Sequence, residues 1–277
     1  MNWILGYNSN GFAHHRLLDL VDVLADLGYR GLALTLDNHH LDPFGSQLAS
    51  ETNSLKSKLA EHQFELVIES GARFNLDGRT KHYPSLLTRR HRGRRIDFLK
   101  RCLAIAAELN ASCVSLWSGH NFDHLATEEA FELLVLGLEE VLVEAESLGI
   151  DLAFEPEPGM FSETLMDYAA LKQRLPSKRF GLALDLGHLM VTQESSLPDA
   201  IRKFRGQIMT MAIEDMKRGV HEHLPFGEGD IDFSPVMAAI REIDYRGMVS
   251  VELSRASSDA VETARAAERF LAPFLGP

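Results

Sequence analysis

The stretch HEHLPFGEGDIDF, residues His221 to Phe233, sets two histidines and four acids on one short loop. Carboxylate oxygens with one or two imidazoles suit a divalent cation such as Mn, Mg, Co or Zn, with zinc favoured as nitrogen donors are added. Pro225 stiffens the approach, and Gly227 and Gly229 allow tight or left-handed backbone, which aims His223 back from a lid-like loop. Ligand-type side chains recur at the ends of short apolar runs: Glu155 in AFEPEPG, Asp185 and His188 in GLALDLGH, and Glu252 in VSVEL. Glu69, Trp117, His120, Asp37, His39 and His40 hold comparable positions. One such carboxylate is usually a helix cap. Three that converge from separate strands must relieve their repulsion with a cation or a proton.

Convergence needs a scaffold, and the apolar spacing supplies one. Leu17, Leu20, Val21, Leu24 and Leu27 fall at helical intervals within 13–27, Gly28 ends the run, and GLALTL follows as a buried strand. The same unit recurs over 127–148, with Thr127 as N-cap and Gly149 as stop, and again where Ser234 caps a helix whose first residue is Pro235. Eight apolar runs read as strands: WILGYN, GLALTL, FELVIES, SCVSLWS, IDLAFE, FGLALDL, QIMTMAIE and GMVSVEL. Strands alternating with helices imply right-handed crossovers and a parallel sheet, and eight such units predict an α/β fold, a (β/α)8 barrel in a single domain over 1–277. An open doubly wound sheet is the alternative, but no glycine-rich phosphate loop follows the first strand. The long irregular stretch after the third strand would lie over the barrel mouth.

The chain has 277 residues, 45% of them apolar, and 40 acids against 28 bases give a net charge of −12. That charge disfavours nucleic acid and anionic lipid as partners and points to small molecules. No apolar run approaches the roughly 18 residues of a membrane helix, and the start MNWILGYNSNGF lacks a basic leader region, so a cytoplasmic location is expected. Cys102 and Cys113 show neither a disulfide pattern nor a zinc knuckle. The oligomeric state is left open, a homo-oligomer included.

In AFEPEPG, GLALDLGH, HLPFGEGDIDF and YRGMVSVEL, four motifs in order, the chain resembles the xylose isomerase-like barrel superfamily of sugar isomerases, sugar epimerases and apurinic endonucleases. The resemblance implies that Glu155, Asp185 and Glu252 are metal ligands and that His188 contacts substrate or a second metal. It also implies a ligand histidine on strand seven, where this chain has Ala212 in MAIEDM, with Asp215 in register behind it. Three carboxylates and water would then hold the metal, or His223 or His188 would swing in, or the site would be lost.

A metal on adjacent carbonyl and hydroxyl oxygens of a keto sugar stabilises the enediolate, and two carboxylates can remove and return the proton. Glu155 and Glu252 are the candidate pair. His188, His223, Arg218, Trp117 and His120 are candidate substrate contacts. The expected activity is therefore metal-dependent isomerisation or epimerisation of a small keto sugar or related metabolite. Two alternatives stand beside it: a phosphodiesterase of the apurinic endonuclease type, for which His40, His120, His188, His221 and His223 could supply extra ligands, and a non-catalytic metabolite-binding barrel. The run RRHRGRR, Arg89 to Arg95, reads either as phosphate recognition or as the solvated start of a helix through Ile96, Leu99 and Leu103.

Overall fold

A computed structural model describes residues 3–71 and 73–275. Met1, Asn2 and Ala72, which fall in the opening and long-loop stretches read above, lie outside the described residues, as do Gly276 and Pro277. Eight parallel strands close into a barrel in sequence order: β1 Ile4–Asn8, β2 Gly31–Thr35, β3 Glu65–Glu69, β4 Cys113–Leu116, β5 Asp151–Phe154, β6 Phe180–Asp185, β7 Ile208–Ile213 and β8 Met248–Val251. The helices around it are α1 Leu17–Asp26, α2 Leu48–His62, α3 Arg92–Leu109, α4 Thr127–Leu148, α5 Leu165–Arg174, α6 Leu186–Thr192, α7 Leu197–Phe204, α8 Phe233–Glu242 and α9 Ala260–Leu275. The barrel expected from the eight apolar runs is thus the fold observed. Among the described residues no helix is long and apolar enough to cross a membrane.

Side chains alternate faces along a strand, and that period of two sorts the barrel into layers. Ala33, Val67, Cys113, Ala153, Ala183 and Met248, with Met209, fill the lower interior, while the outward residues pack under the helices in the main core. Two residues further along each strand the inward positions turn polar: Thr35, Glu69, Ser115, Glu155, Asp185 and Ser250. A register shift between β6 and β7 sets Ala212 opposite Asp185, and Ala212 also pairs with Ser250 on β8. Position 212 therefore faces the lumen with only a methyl group.

Three helix starts differ from expectation. A 3-10 turn over Ser9–Phe12 occupies the chain first, so α1 begins at Leu17 rather than at residue 13. Thr127 is already helical, with Ala126 at the cap position. Asp232, not Ser234, caps α8, because its carboxylate reaches the Ser234 amide.

The arginine run is a staple for the long β3–α3 loop. Arg89 pairs with Glu129 at 2.6 Å, Arg92 with Glu140 at 3.5 Å, and Arg94 donates to the Leu76 carbonyl. Arg95 is 3% exposed and donates to the carbonyls of Pro84 and His82 at 2.8 and 2.9 Å. Its guanidinium lies 5.1 Å from the Trp117 ring centroid and 5.5 Å from that of Phe98. Four of the run's five guanidiniums are thus engaged within the chain. Burial lowers the Arg95 pKa to about 10, still a cation at neutral pH. Arg95→Met strands two buried carbonyls and removes two charge-assisted bonds, an expected loss on the order of 3 kcal/mol in urea unfolding. Full stability in that variant would contradict the staple.

Candidate functional site

The carboxylates converge at the mouth where strands give way to loops, the end at which this architecture builds its sites. Glu155 and Glu252 directly follow their strands, and their amides continue the ladder to Leu116 O at 2.8 Å and Ile213 O at 3.2 Å. That fixes both side chains in the pleat. Asn10 Nδ2 donates to Glu252 Oε1 at 2.9 Å, and Ser115 Oγ lies 3.5 Å from Glu155 Oε2. Asp185 ends β6 and caps α6 by accepting the His188 amide at 2.9 Å. Glu157 is set by the turn after β5, where its amide bonds Ser162 O at 3.1 Å.

Glu214 is the unexpected member. It stands two residues beyond Ala212 on the same face of its strand, fully buried, and neither carboxylate oxygen has a hydrogen-bond partner. It lies against Asp185, and a Cβ at Gly187 would come within 1.9 Å of Glu214 Oε1, so only glycine leaves it room. Two ionised carboxylates in contact cannot donate to each other; a proton on Glu214 gives the pair a bond.

The charge balance follows from burial. Desolvation first, then the neighbouring acids, pushes the carboxyls of Glu155, Glu157 and Glu214 well above the ordinary range, and Glu69 rises to about 8 through burial and the charge of Glu252. Burial also works against ionised Asp185. The imidazoles of His188 and His223 and the His188 amide outweigh it and hold that carboxyl below its usual value.

Three imidazoles face this acid cluster. His188 Nδ1 lies 3.2 Å from the Pro156 carbonyl, which assigns the proton to Nδ1 and leaves the lone pair on Nε2. That buried Nε2 has no hydrogen-bond partner and lies 3.6 Å from Asp185 and 3.7 Å from Glu157. His223 Nδ1 lies 3.1 Å from the Glu252 carbonyl, which likewise leaves the lone pair on its Nε2. His221 completes the set, with its ring centroid 5.0 Å from that of His188. Asp215 aims the loop that carries both. It is 1% exposed and accepts the amides of Met216, Gly227 and Ile231 at 2.9, 2.8 and 3.2 Å, while its backbone bridges to Leu224. Gly229 passes so close that a Cβ would meet Asp215 Oδ1 at 2.2 Å.

The donor atoms fall into three overlapping groups, each within 4.8 Å: Asp185, His223 and Glu252; Glu155, Glu157 and His188; His188, His221 and His223. Glu155 thus groups with Glu157 and His188, apart from Asp185 and Glu252. The buried lone pair on His188 Nε2 lacks a donor, and Asp185 Oδ2 has none beyond the proton it shares with Glu214. Such orphaned buried atoms fit a divalent cation. Above them lies a cavity of about 370 Å³ lined by Asn10, Trp117, Met160, His223, Glu252 and the β3–α3 loop.

Other expected contacts lie elsewhere. Arg218 is exposed and lines a separate groove beside α6, α7 and α8, because the loop turns at Gly219 and the Arg218 amide is tied to Asp230. His120 sits outside the cavity lining, its ring 6.5 Å from His82 and 5.5 Å from Phe122. His40 lies 3.2 Å from the Phe12 carbonyl, also outside the cluster. Glu157 is legible as the second acid of EPEPG. Glu214 had a signal too: the same inward parity as position 212.

A closed eight-stranded barrel with acids and imidazoles gathered at its C-terminal mouth defines the class of a (β/α)8 protein whose side chains could hold a metal ion. The family profile described as xylose isomerase-like TIM barrel matches residues 21–274, and the chain belongs to that family. Similar proteins include the uncharacterized protein MJ1311 of Methanocaldococcus jannaschii, 25% identical over 198 residues (68% of this chain and 66% of that one). Inosose dehydratase of Lacticaseibacillus casei is 25% identical over 52% of this chain and 55% of its own, and L-ribulose-5-phosphate 3-epimerase UlaE of Salmonella paratyphi C is 23% identical over 63% and 62%. The chain thus spans between about half and two thirds of these relatives. Among solved structures, the IolI protein with a bound zinc atom superposes with a TM-score of 0.78 at 19% identity, covering 98% of both chains. An AP endonuclease of family 2 from Brucella melitensis gives 0.78 at 17% identity, covering 99% of both. At these identities the superpositions show the fold alone.

Proposed function

We propose that the chain is a divalent-metal-dependent isomerase or epimerase of a small keto sugar or related polyhydroxy ketone. The observation that carries this reading is the donor group Asp185, His223 and Glu252 beside Glu155, Glu157 and His188, with buried lone pairs left over. Asp185, Glu252 and His223 would hold the cation, with Glu155 at its edge; His223 brings from the loop the nitrogen that Ala212 cannot. A bound cation would polarise the carbonyl and neighbouring hydroxyl oxygens of a ketose and favour the enediolate. Glu155 and Glu252, on strands three positions apart round the barrel, address the carbon between those oxygens from two sides. One removes its proton and the other returns it, and the burial that raises the Glu155 pKa makes its carboxylate the stronger base. Asn10 orients the Glu252 carboxylate. Sugar-acting relatives such as UlaE and inosose dehydratase support the substrate class.

The test is solvent exchange. Incubated in D2O with a panel of ketoses and saturating Mn or Zn, the protein should place deuterium on the carbon next to the carbonyl, and a chelator should stop it. Ketose binding without exchange would favour a non-catalytic barrel. Cleavage of abasic DNA would favour the phosphodiesterase, a reading that has lost His40 and His120 as ligands.

A further inference from the structure

The cavity over the acid cluster is not acidic throughout. Its floor is built from Glu69, Glu155, Glu157 and Glu252, yet its rim carries Arg73 and Lys81 from the β3–α3 loop and Arg255 from the loop after β8. Lys81 and Arg255 lie on different loops of the same cavity, and both act on the charge of His221 there; Lys81 also acts on Glu157. Among the described residues Lys81 makes neither a hydrogen bond nor an ion pair, whereas Arg255 pairs with Glu222 and Arg73 only grazes Asp37 at 4.0 Å. A neutral sugar would meet these cations with hydroxyls alone. In a chain of net charge −12 an anion is repelled at long range, so cations drawn up around this one mouth change which ligands can enter.

Taking the cavity to be the substrate site, we infer that it recognises a polyhydroxy ketone with an anionic group, phosphate or carboxylate, at the end remote from the reacting carbons. The floor rejects an anion and offers lone pairs to hydroxyls; the rim has the opposite preference. The ligand is therefore oriented, with its carbonyl end down among Glu155 and Glu252 and its anion up between Lys81 and Arg255. That polarity also fixes which end of the sugar reacts.

Short probes test this without turnover. Glycerol 3-phosphate, glycerate and glycerol are titrated calorimetrically into the metal-loaded protein and into the Lys81→Met/Arg255→Met double variant, neither residue being part of the acid cluster. Wild type should bind the better of the two anions more tightly than glycerol by on the order of tenfold at low salt. The double variant should lose that advantage while keeping its metal affinity and melting temperature. Which anion wins tells phosphate from carboxylate. If glycerol binds as well as both anions, or if the anion keeps its advantage in the double variant because it sits on the metal instead, the inference is wrong. The deuterium exchange experiment judges the enzymatic reading separately, since exchange into neutral ketoses can occur whatever the rim prefers.

Discussion

Glu252→Gln is expected to weaken metal binding by about 100-fold and to slow deuterium exchange by about 10²- to 10⁴-fold. The side chain has two tasks in the proposed mechanism: it completes the donor group with Asp185 and His223, and it carries the proton. Glutamine keeps the shape and can still accept the 2.9 Å bond from Asn10, so the barrel should fold and melt as before. Only charge and basicity are lost. Calorimetric titration with Mn and Zn, beside exchange into a responsive ketose, separates the two tasks. Arg218→Ala is the control, since that residue lines a different groove and should change neither reading. If Glu252→Gln and wild type bind metal equally, the metal-dependent mechanism falls and the metabolite-binding barrel is the better account.

Glu252 could be singled out because strand-end residues in a parallel barrel are legible from apolar runs alone. Eight runs gave eight strands, and because the strands of such a barrel run parallel, the ends that carry Glu155, Asp185 and Glu252 share one mouth. Parity held the clue to Glu214, which directly follows β7 and shares the inward face of Ala212. What parity could not give is the path of a loop. Whether HEHLP folds back over the barrel depends on Asp215 gathering three amides and on the close pass at Gly229, neither of which has a periodic signature. Arg218 left the site for the same reason. The arginine run read two ways from composition, because guanidiniums that suit phosphate equally suit backbone carbonyls; α3 does start at Arg92, and Arg95 spends its donors on His82 and Pro84.

The buried acids also make the protein's stability depend on pH in a way that a cation should reverse. Glu69 moves from an ordinary value of 4.5 to about 8 in the folded chain, and burial moves Glu155, Glu157 and Glu214 in the same direction. Between those two values the folded state binds protons that the unfolded chain has released, so this contribution is complete below pH 4.5 and is lost as the pH rises to about 8. The histidines act on the other side. Burial lowers His188 and His221 and takes His82 from 6.5 to about 3, so their contribution is present above 6.5 and is lost as the pH falls below it. Above pH 6.5 only the carboxyls remain, and the metal-free protein should melt progressively lower up to about pH 8. A bound cation replaces those protons, so metal affinity should rise over the same interval. At a metal concentration of about 1,000 times Kd the added stability is roughly 4 kcal/mol, on the order of 10 °C for a domain of this size. Melting curves from about pH 5 to about pH 9, with chelator and with saturating Mn or Zn, measure both effects. A chelated protein that melts at the same temperature at pH 8 as at pH 6.5, with a metal shift no larger at the higher pH, would mean that these carboxylates neither hold protons nor await a cation.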